Sequence, residues 1–182
     1  MRIKDLRLAL SATPKKYDIR FYLKGILIKE QEMTASDGHR LCIINDMSNF
    51  LPDGVTHVLV TVDTVKALLK KVGAKHEERE VIILLNNNRY ELQCHDEIEV
   101  FTPINHKYPD FSKWLQRIRI KNHNILDKPT DHQFNWQYVG DAQKDINKYI
   151  GNTSFKTFKV LPDLGYFQPQ ENIIYIIMPV RS

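Results

Sequence analysis

Apolar residues recur at helical spacing in three stretches of the chain. The first stretch has apolar residues at positions 3, 6 and 10, which places them on one side of a helix. The second runs from 62 to 72 and stops at Gly73, and the third runs from 136 to 150 and stops at Gly151. The spacing therefore predicts three amphipathic helices.

Runs rich in β-branched and aromatic residues fill much of the remaining chain. Strands are predicted over 21–28, 32–35, 41–44, 57–60, 81–85, 89–94, 97–101, 117–121, 155–161, 166–167 and 173–178. The segment 117–121 alternates charged and apolar residues, as a half-buried strand does. The run 173–178 is continuously apolar, which predicts burial on both faces or under a partner. Strands clustered between single helices indicate an α+β fold rather than a doubly wound nucleotide-binding sheet.

Composition narrows the class of protein. The 182 residues are 42% hydrophobic and 26% charged, which is typical of a folded domain and too apolar for a disordered chain. Cys42 and Cys94 form no CxxC pair, no run of about 18 apolar residues occurs, and the start lacks the apolar core of a signal peptide. We therefore expect a cytoplasmic protein.

Cations gather on the polar sides of the three predicted helices, and the formal net charge is +4. Charged helix faces are most often simply solvated. If the three helices share one side of the molecule, however, that side would attract DNA phosphates without reading bases. The candidate DNA-binding residues are Lys4, Arg7, Lys66, Lys70, Lys71, Lys144 and Lys148.

Common catalytic and metal-binding signatures are missing from the sequence, including GxxxxGK[ST], GxGxxG, GxSxG and HExxH. The strings at 76–78 and 95–97 carry metal-ligand residue types, but adjacent residues on a strand point to opposite faces. Asp37 and His39 could serve acid–base chemistry in a nuclease, although a hydrogen-bonded turn around Gly38 is the stronger interpretation. We expect no metal, no cofactor and no enzymatic activity.

Several separated strings resemble one protein family. Arg20–Gly25 (RFYLKG) and Thr34–Leu41 (TASDGHRL) resemble the middle domain of the bacterial DNA polymerase III beta sliding clamp. Tyr108–Phe111 (YPDF) resembles the string that closes this domain. Phe134–Val139 (FNWQYV) is similar to the last helix of the family, and Tyr175–Ser182 (YIIMPVRS) to its C-terminal signature. The matches follow the family order and touch nearly the whole chain.

The resemblance implies a DNA-clamp fold, with antiparallel sheets outside and helices that face duplex DNA. It implies one complete clamp domain over residues 1–113 and a truncated second domain over 114–182. A compact chain of this length is about 40 Å wide. Several copies would therefore have to close head to tail to encircle a duplex.

The resemblance also implies a groove between the two domains, where polymerases and other replication proteins dock a short peptide. One wall of this groove would carry Arg20, Leu23, Ser36, Gly38, His39, Arg40 and Leu41, and the other Ile176, Met178, Pro179, Val180 and Arg181. The apolar residues would hold leucine or aromatic anchors, while Arg20, His39 and Arg40 would donate to the peptide backbone. Ordinary core packing is the alternative for Leu23, Leu41 and Ile176.

Two functions fit these expectations. The first is a small, phage-like or mobile-element sliding clamp, a processivity factor that assembles on duplex DNA and tethers a polymerase. The alternative is a monomeric module that binds clamp-binding motifs and modulates replication without encircling DNA. The oligomeric state separates the two, because only the first requires several copies.

Overall fold

The structure is a computed structural model that describes residues 1–15, 18–45, 50–121, 133–152, 157–161 and 164–180. Within these ranges the helices are α1 (Ile3–Ser11), α2 (Val62–Val72), α3 (Ser112–Lys121) and α4 (Trp136–Ile150). The strands are β1 (Gly25–Lys29), β2 (Met33–Ser36), β3 (Arg40–Ile44), β4 (His57–Thr61), β5 (Ile82–Asn86), β6 (Arg89–Cys94), β7 (Glu97–Phe101), β8 (Lys159–Leu161), β9 (Leu164–Gln170) and β10 (Ile173–Ile177).

The three helices predicted from apolar spacing are confirmed as α1, α2 and α4. Thr61 caps the start of α2 by accepting a hydrogen bond from the Thr64 backbone N–H. Gly151 ends α4 at a φ of 65°, in the left-handed region that glycine adopts easily. None of the described helices combines the length and the apolar character needed to cross a membrane.

Seven strands form one antiparallel sheet in the order β4-β1-β2-β3-β10-β9-β8. The pairing of β3 with β10 sets Cys42 opposite Tyr175, so strands that are far apart in the chain lie side by side. Both proposed domains, 1–113 and 114–182, contribute strands to this sheet. The boundary between them stays a prediction.

The two faces of the seven-stranded sheet have different covers. Side chains alternate along β10: Ile173, Tyr175 and Ile177 join the core beneath the helices, while Ile174 and Ile176 join a cluster with Ile118 of α3. All five residues of β10 are buried. The prediction of burial on both faces is therefore confirmed for residues 173–177, while Met178 is half-buried.

A second antiparallel sheet has the order β5-β6-β7, and α2 packs against β6 and β7. Asn87 and Asn88 both have positive φ in the turn between β5 and β6, which is typical of a tight hairpin. Helix α1 contacts both α2 and α4. The three helices therefore lie together, as the DNA-binding hypothesis requires.

Three sequence predictions of strand differ from the structure. Residues 117–121 belong to α3, because Asp110 accepts from the Ser112 backbone N–H at the helix start and the apolar side chains pack on the sheet at helical spacing. Phe21–Lys24 forms a short 3-10 helix, and the strand begins only at Gly25. The predicted strand at 155–161 is reduced to β8, and its first two residues lie outside the described ranges.

Gly165 lies in β9 beneath an aromatic cluster, where an added Cβ would collide with the Phe158 ring. We expect Gly165→Ala to destabilise the protein by about 1–3 kcal/mol, since the packed ring has to move. Gly140 in α4 is the matched control, because its added Cβ would meet no atom within 4 Å. Gly140→Ala should be neutral or stabilise by up to about 1 kcal/mol. Urea unfolding midpoints measure both, and equal effects would contradict the packing.

Candidate functional site

A groove of about 790 Å³ lies where the turn around Gly38 meets the C-terminal tail. Its floor and walls come from the turn, the tail and the starts of α3 and α4. The lining residues are Arg20, Gly38, His39, Phe111, Trp114, Asn135, Tyr138, Met178, Pro179 and Val180. We call this the groove below.

Backbone hydrogen bonds fix the tail against the turn. The Met178 N–H donates to the His39 carbonyl at 2.8 Å, which continues the β3–β10 pairing by one step. The Val180 N–H donates to the Gln133 carbonyl, also at 2.8 Å. The tail is thus held between the turn and the segment before α4, as the sequence resemblance requires.

Six residues assigned to the groove from sequence do line it: Arg20, Gly38, His39, Met178, Pro179 and Val180. Leu23, Leu41 and Ile176 are instead buried in apolar clusters, the alternative weighed from sequence. Ser36 and Arg40 are also buried and bonded within the turn. Arg181 lies outside the described ranges. These five buried residues support the wall rather than form its surface.

Four lining residues were not assigned from sequence. Phe111, Asn135 and Tyr138 stood within family-like strings, so the resemblance offered a signal for them. No such signal pointed to Trp114, because a strand was predicted at 117–121 in place of the helix that carries Trp114. Aromatic residues therefore form more of the groove than expected.

Asp37 and Arg40 organise the turn from inside. The Asp37 Oδ1 accepts from the backbone N–H groups of His39 and Arg40, at 2.9 and 2.7 Å. Its Oδ2 accepts from Arg40 Nε and Nη2, at 2.9 and 2.7 Å. Because both oxygens hold the turn, Asp37 is poorly placed for the acid–base role considered from sequence.

Burial acts to lower the pKa of Arg40, but neighbouring Tyr175 and the Asp37 carboxylate outweigh it and the pKa lies above its usual value. Arg40 is only 1% exposed, so its expected role as a donor to a peptide is replaced by a role in the turn. Its guanidinium lies 4.9 Å from the Tyr138 ring centre. Tyr138 also stacks on His39 at 5.9 Å. The aromatic ring thereby joins α4 to the turn.

Arg20 covers the turn from outside. Its Nη2 donates to the Asp37 carbonyl at 3.0 Å, and the guanidinium pairs with Asp18. The hydrogen bonds from Arg20 lower the pKa of Asp18 to about 2. Gly38 has a φ of 84°, and a Cβ there would collide with Arg20. The backbone conformation therefore requires glycine at this position, and the contact with the end of the Arg20 side chain adds a smaller constraint.

The predicted DNA-binding cations divide into two groups. Three are paired with acids: Lys4 with Glu78 at 2.6 Å, Arg7 with Glu77 at 3.1 Å, and Lys71 with Glu99 at 2.8 Å. The other four are exposed and form no ion pair with the described residues: Lys66, Lys70, Lys144 and Lys148. Helices α1, α2 and α4 together, called the helix layer below, therefore carry less uncompensated positive charge than the sequence predicts.

A second cavity of about 590 Å³ lies between α1 and the end of α4. Cationic and acidic side chains share its lining, among them Lys148 and Asp145. Burial, and then the nearby Asp141 carboxylate, raise the pKa of Asp145. No group of three or more His, Cys, Asp or Glu side chains in the described ranges could hold a metal ion.

No family model matches the sequence. Mannosylglucosylglycerate synthase of Petrotoga mobilis is 26% identical over 118 residues, which are 65% of this chain and 26% of the synthase. Because the match spans only about a quarter of that enzyme, it gives no reason to assign the activity of the enzyme to this chain.

Solved sliding clamps match the chain along nearly its whole length. The DNA polymerase sliding clamp of Bacillus subtilis has a TM-score of 0.63 at 15% identity, and that of Pseudomonas aeruginosa 0.67 at 16%. The clamp of Bartonella birtlesii, solved with bound griselimycin, has 0.65 at 15%. The matches cover 99–100% of this chain but only 62–66% of the clamps. The chain has the fold of the bacterial DNA polymerase III beta sliding clamps and spans less than two thirds of the length of these clamp chains.

Proposed function

We propose that this protein acts by binding, as a small clamp-like factor that holds a polymerase or another replication protein near duplex DNA. The observation that carries the proposal is the meeting of the Gly38 turn and the Met178–Val180 tail in one groove. The fold supports it, because proteins of this fold are named as polymerase sliding clamps. The proposed role needs no bond-breaking chemistry.

The groove has the character of a peptide site. Phe111, Trp114, Tyr138 and Met178 offer apolar and aromatic surface, while His39 and Arg20 lie at one side of it. Peptide-recognition grooves combine buried apolar anchors with a few polar groups that fix orientation. A linear motif with leucine or aromatic anchors is the occupant that this lining favours.

The helix layer supplies the proposed DNA contact. Its four exposed lysines can attract phosphates in a sequence-independent and salt-dependent way. Weak contacts of this kind permit sliding, whereas strong individual contacts would impede it. Retention would then depend on several copies closing around the duplex, because a single chain about 40 Å wide leaves no central hole.

A second candidate function is the monomeric module that occupies clamp-binding motifs without encircling DNA. The ion pairs of Lys4, Arg7 and Lys71 favour it, since they remove three of the seven predicted phosphate contacts. In this case the groove would keep its role. The DNA contact would be weak or absent.

The oligomeric state and DNA retention separate the two candidates. Light scattering at micromolar concentration should show a trimer or larger assembly for a ring and a monomer for the module. A ring should also stay on circular duplex DNA and leave after linearisation. A monomer that binds the peptide but is not retained on circular DNA would reject the ring and support the module.

Met178→Ala should lower the affinity for a fluorescent peptide with leucine and phenylalanine anchors by about tenfold, because Met178 lines the groove. Griselimycin is a second probe, since it is bound by sliding clamps of this fold. Val160→Ala, an exposed aliphatic change on β8, is the control and should leave both affinities unchanged. Fluorescence anisotropy measures the peptide, and equal affinities for the two variants would remove Met178 from the site.

A further inference from the structure

Helix α3 is anchored differently from the other helices. Each of α1 and α2 buries five residues and α4 buries four. Over residues 112–118 of α3, Ile118 alone is buried, and Trp114 and Leu115 are half-buried. Helices with little buried apolar surface open locally at lower free energy than the rest of a protein.

Although few of its described side chains are buried, α3 forms part of the groove. Trp114 lines the groove from the first turn of α3, and Phe111 lines it from just before the helix. Both side chains also pack against the apolar cluster on the outer face of the sheet, as does Met178. The position of α3 on the sheet therefore sets the position of one groove wall.

Basic residues flank Trp114 on this wall, and the acidic Asp110 lies just before the helix, where it accepts from the Ser112 N–H. Lys113 and Arg117 are exposed on either side of Trp114, and the Arg117 guanidinium lies 5.8 Å from the Trp114 ring centre. The described lining of the groove contains Arg20 and no acidic side chain. An acidic group on an occupant would therefore be attracted to this side of the groove.

We propose that α3 is a movable wall of the groove, which closes on an apolar peptide segment that carries an acidic side chain. The inference rests on the proposed function, since it takes the groove to be a peptide site. A peptide that contacts Trp114 favours the docked position of α3. Because the two equilibria are thermodynamically linked, any change that loosens α3 also weakens peptide binding.

Amide hydrogen exchange of the whole chain tests the movement. In the free protein the amides of α3 should exchange faster than those of α1, α2 and α4. A saturating peptide with leucine and phenylalanine anchors and one aspartate should slow exchange in α3 by about fivefold or more. Exchange in α3 as slow as in α1 would overturn the inference.

Ile118→Ala tests the coupling, because Ile118 anchors α3 without lining the groove. We expect faster exchange in α3 and peptide affinity reduced about fivefold. Ile83→Ala removes an equally buried isoleucine from β5 and is the matched control, expected to leave affinity unchanged. Trp114→Ala should weaken peptide binding while α3 stays folded. Unchanged affinity in Ile118→Ala would overturn the inference.

Two peptides that differ only by aspartate or asparagine test the charge. The aspartate peptide should bind several-fold more tightly, with a stronger salt dependence, and the double variant Lys113→Gln/Arg117→Gln should remove this preference. Equal binding by wild-type protein would overturn the acidic preference. A protein that binds neither peptide would overturn the proposed function itself, whereas binding that leaves α3 exchange unchanged would overturn only the movable wall.

Discussion

Replacing Arg40 with methionine should destabilise the protein by about 3–5 kcal/mol, the largest effect that we expect from a single substitution. The change leaves the buried Asp37 carboxylate without its cationic partner, and its two hydrogen bonds from Arg40 are lost. An unpaired buried charge is costly because the low-dielectric interior cannot replace its hydration. Chemical unfolding with a constant m-value measures the loss.

Arg20→Met is the matched control, because the Arg20–Asp18 pair has the same residue types as the Arg40–Asp37 pair and nearly the same distances. Arg20 also pairs with an aspartate through Nε and Nη2, at 3.0 and 2.7 Å from Asp18. Its side chain is 40% exposed, however, against 1% for Arg40. Exposed pairs contribute about 0–1 kcal/mol, so Arg20→Met should cost little. Equal losses in the two variants would contradict the burial-based explanation.

Reversing the four exposed lysines of the helix layer to glutamate should weaken binding to duplex DNA by about 100-fold or more at low salt. Each phosphate contact that is lost removes about 0.9 from the slope of log affinity against log salt. The combined variant changes Lys66, Lys70, Lys144 and Lys148. Fluorescence anisotropy with a labelled duplex at several salt concentrations measures both the affinity and the slope.

A pair of double variants controls for the change in net charge. Lys66→Glu/Lys144→Glu alters the helix layer, whereas Lys29→Glu/Lys107→Glu alters exposed lysines outside the helices. Only the first pair should reduce the salt slope, because only its lysines are expected to contact phosphates. The same loss in both variants would show that net charge alone governs binding. That result would favour the monomeric module.

The helices and the central strand could be predicted because one physical rule governs each of them. Apolar spacing specifies α2 and α4, and burial on both faces leaves β10 without polar positions. Helix α3 could not be predicted in this way, because its alternating RIRIK segment also suits a half-buried strand. The cap at Asp110 and the sheet beneath Trp114, which decide between the two, involve contacts outside that pattern.

The groove was likewise predictable from the sequence only in part. The turn and the tail carry family-like strings, so their meeting could be expected from the sequence. The burial of Arg40 could not, since arginine is rarely buried and the predicted hydrogen-bonded turn did not specify Arg40 as the partner of Asp37. The spacing of the two residues was the available signal, because an aspartate three positions before an arginine in a tight turn can pair with it. Tertiary packing decides whether such a pair is exposed or enclosed.

Strand β10 follows every other described strand in the chain, yet it occupies an interior position between β3 and β9. During synthesis, the edge of β3 that pairs with β10 therefore stays open until residues 173–177 have left the ribosome. Such long-range closure is slow and leaves unpaired backbone exposed to other nascent chains. A premature stop before Ile173 should consequently yield aggregates rather than a smaller folded protein.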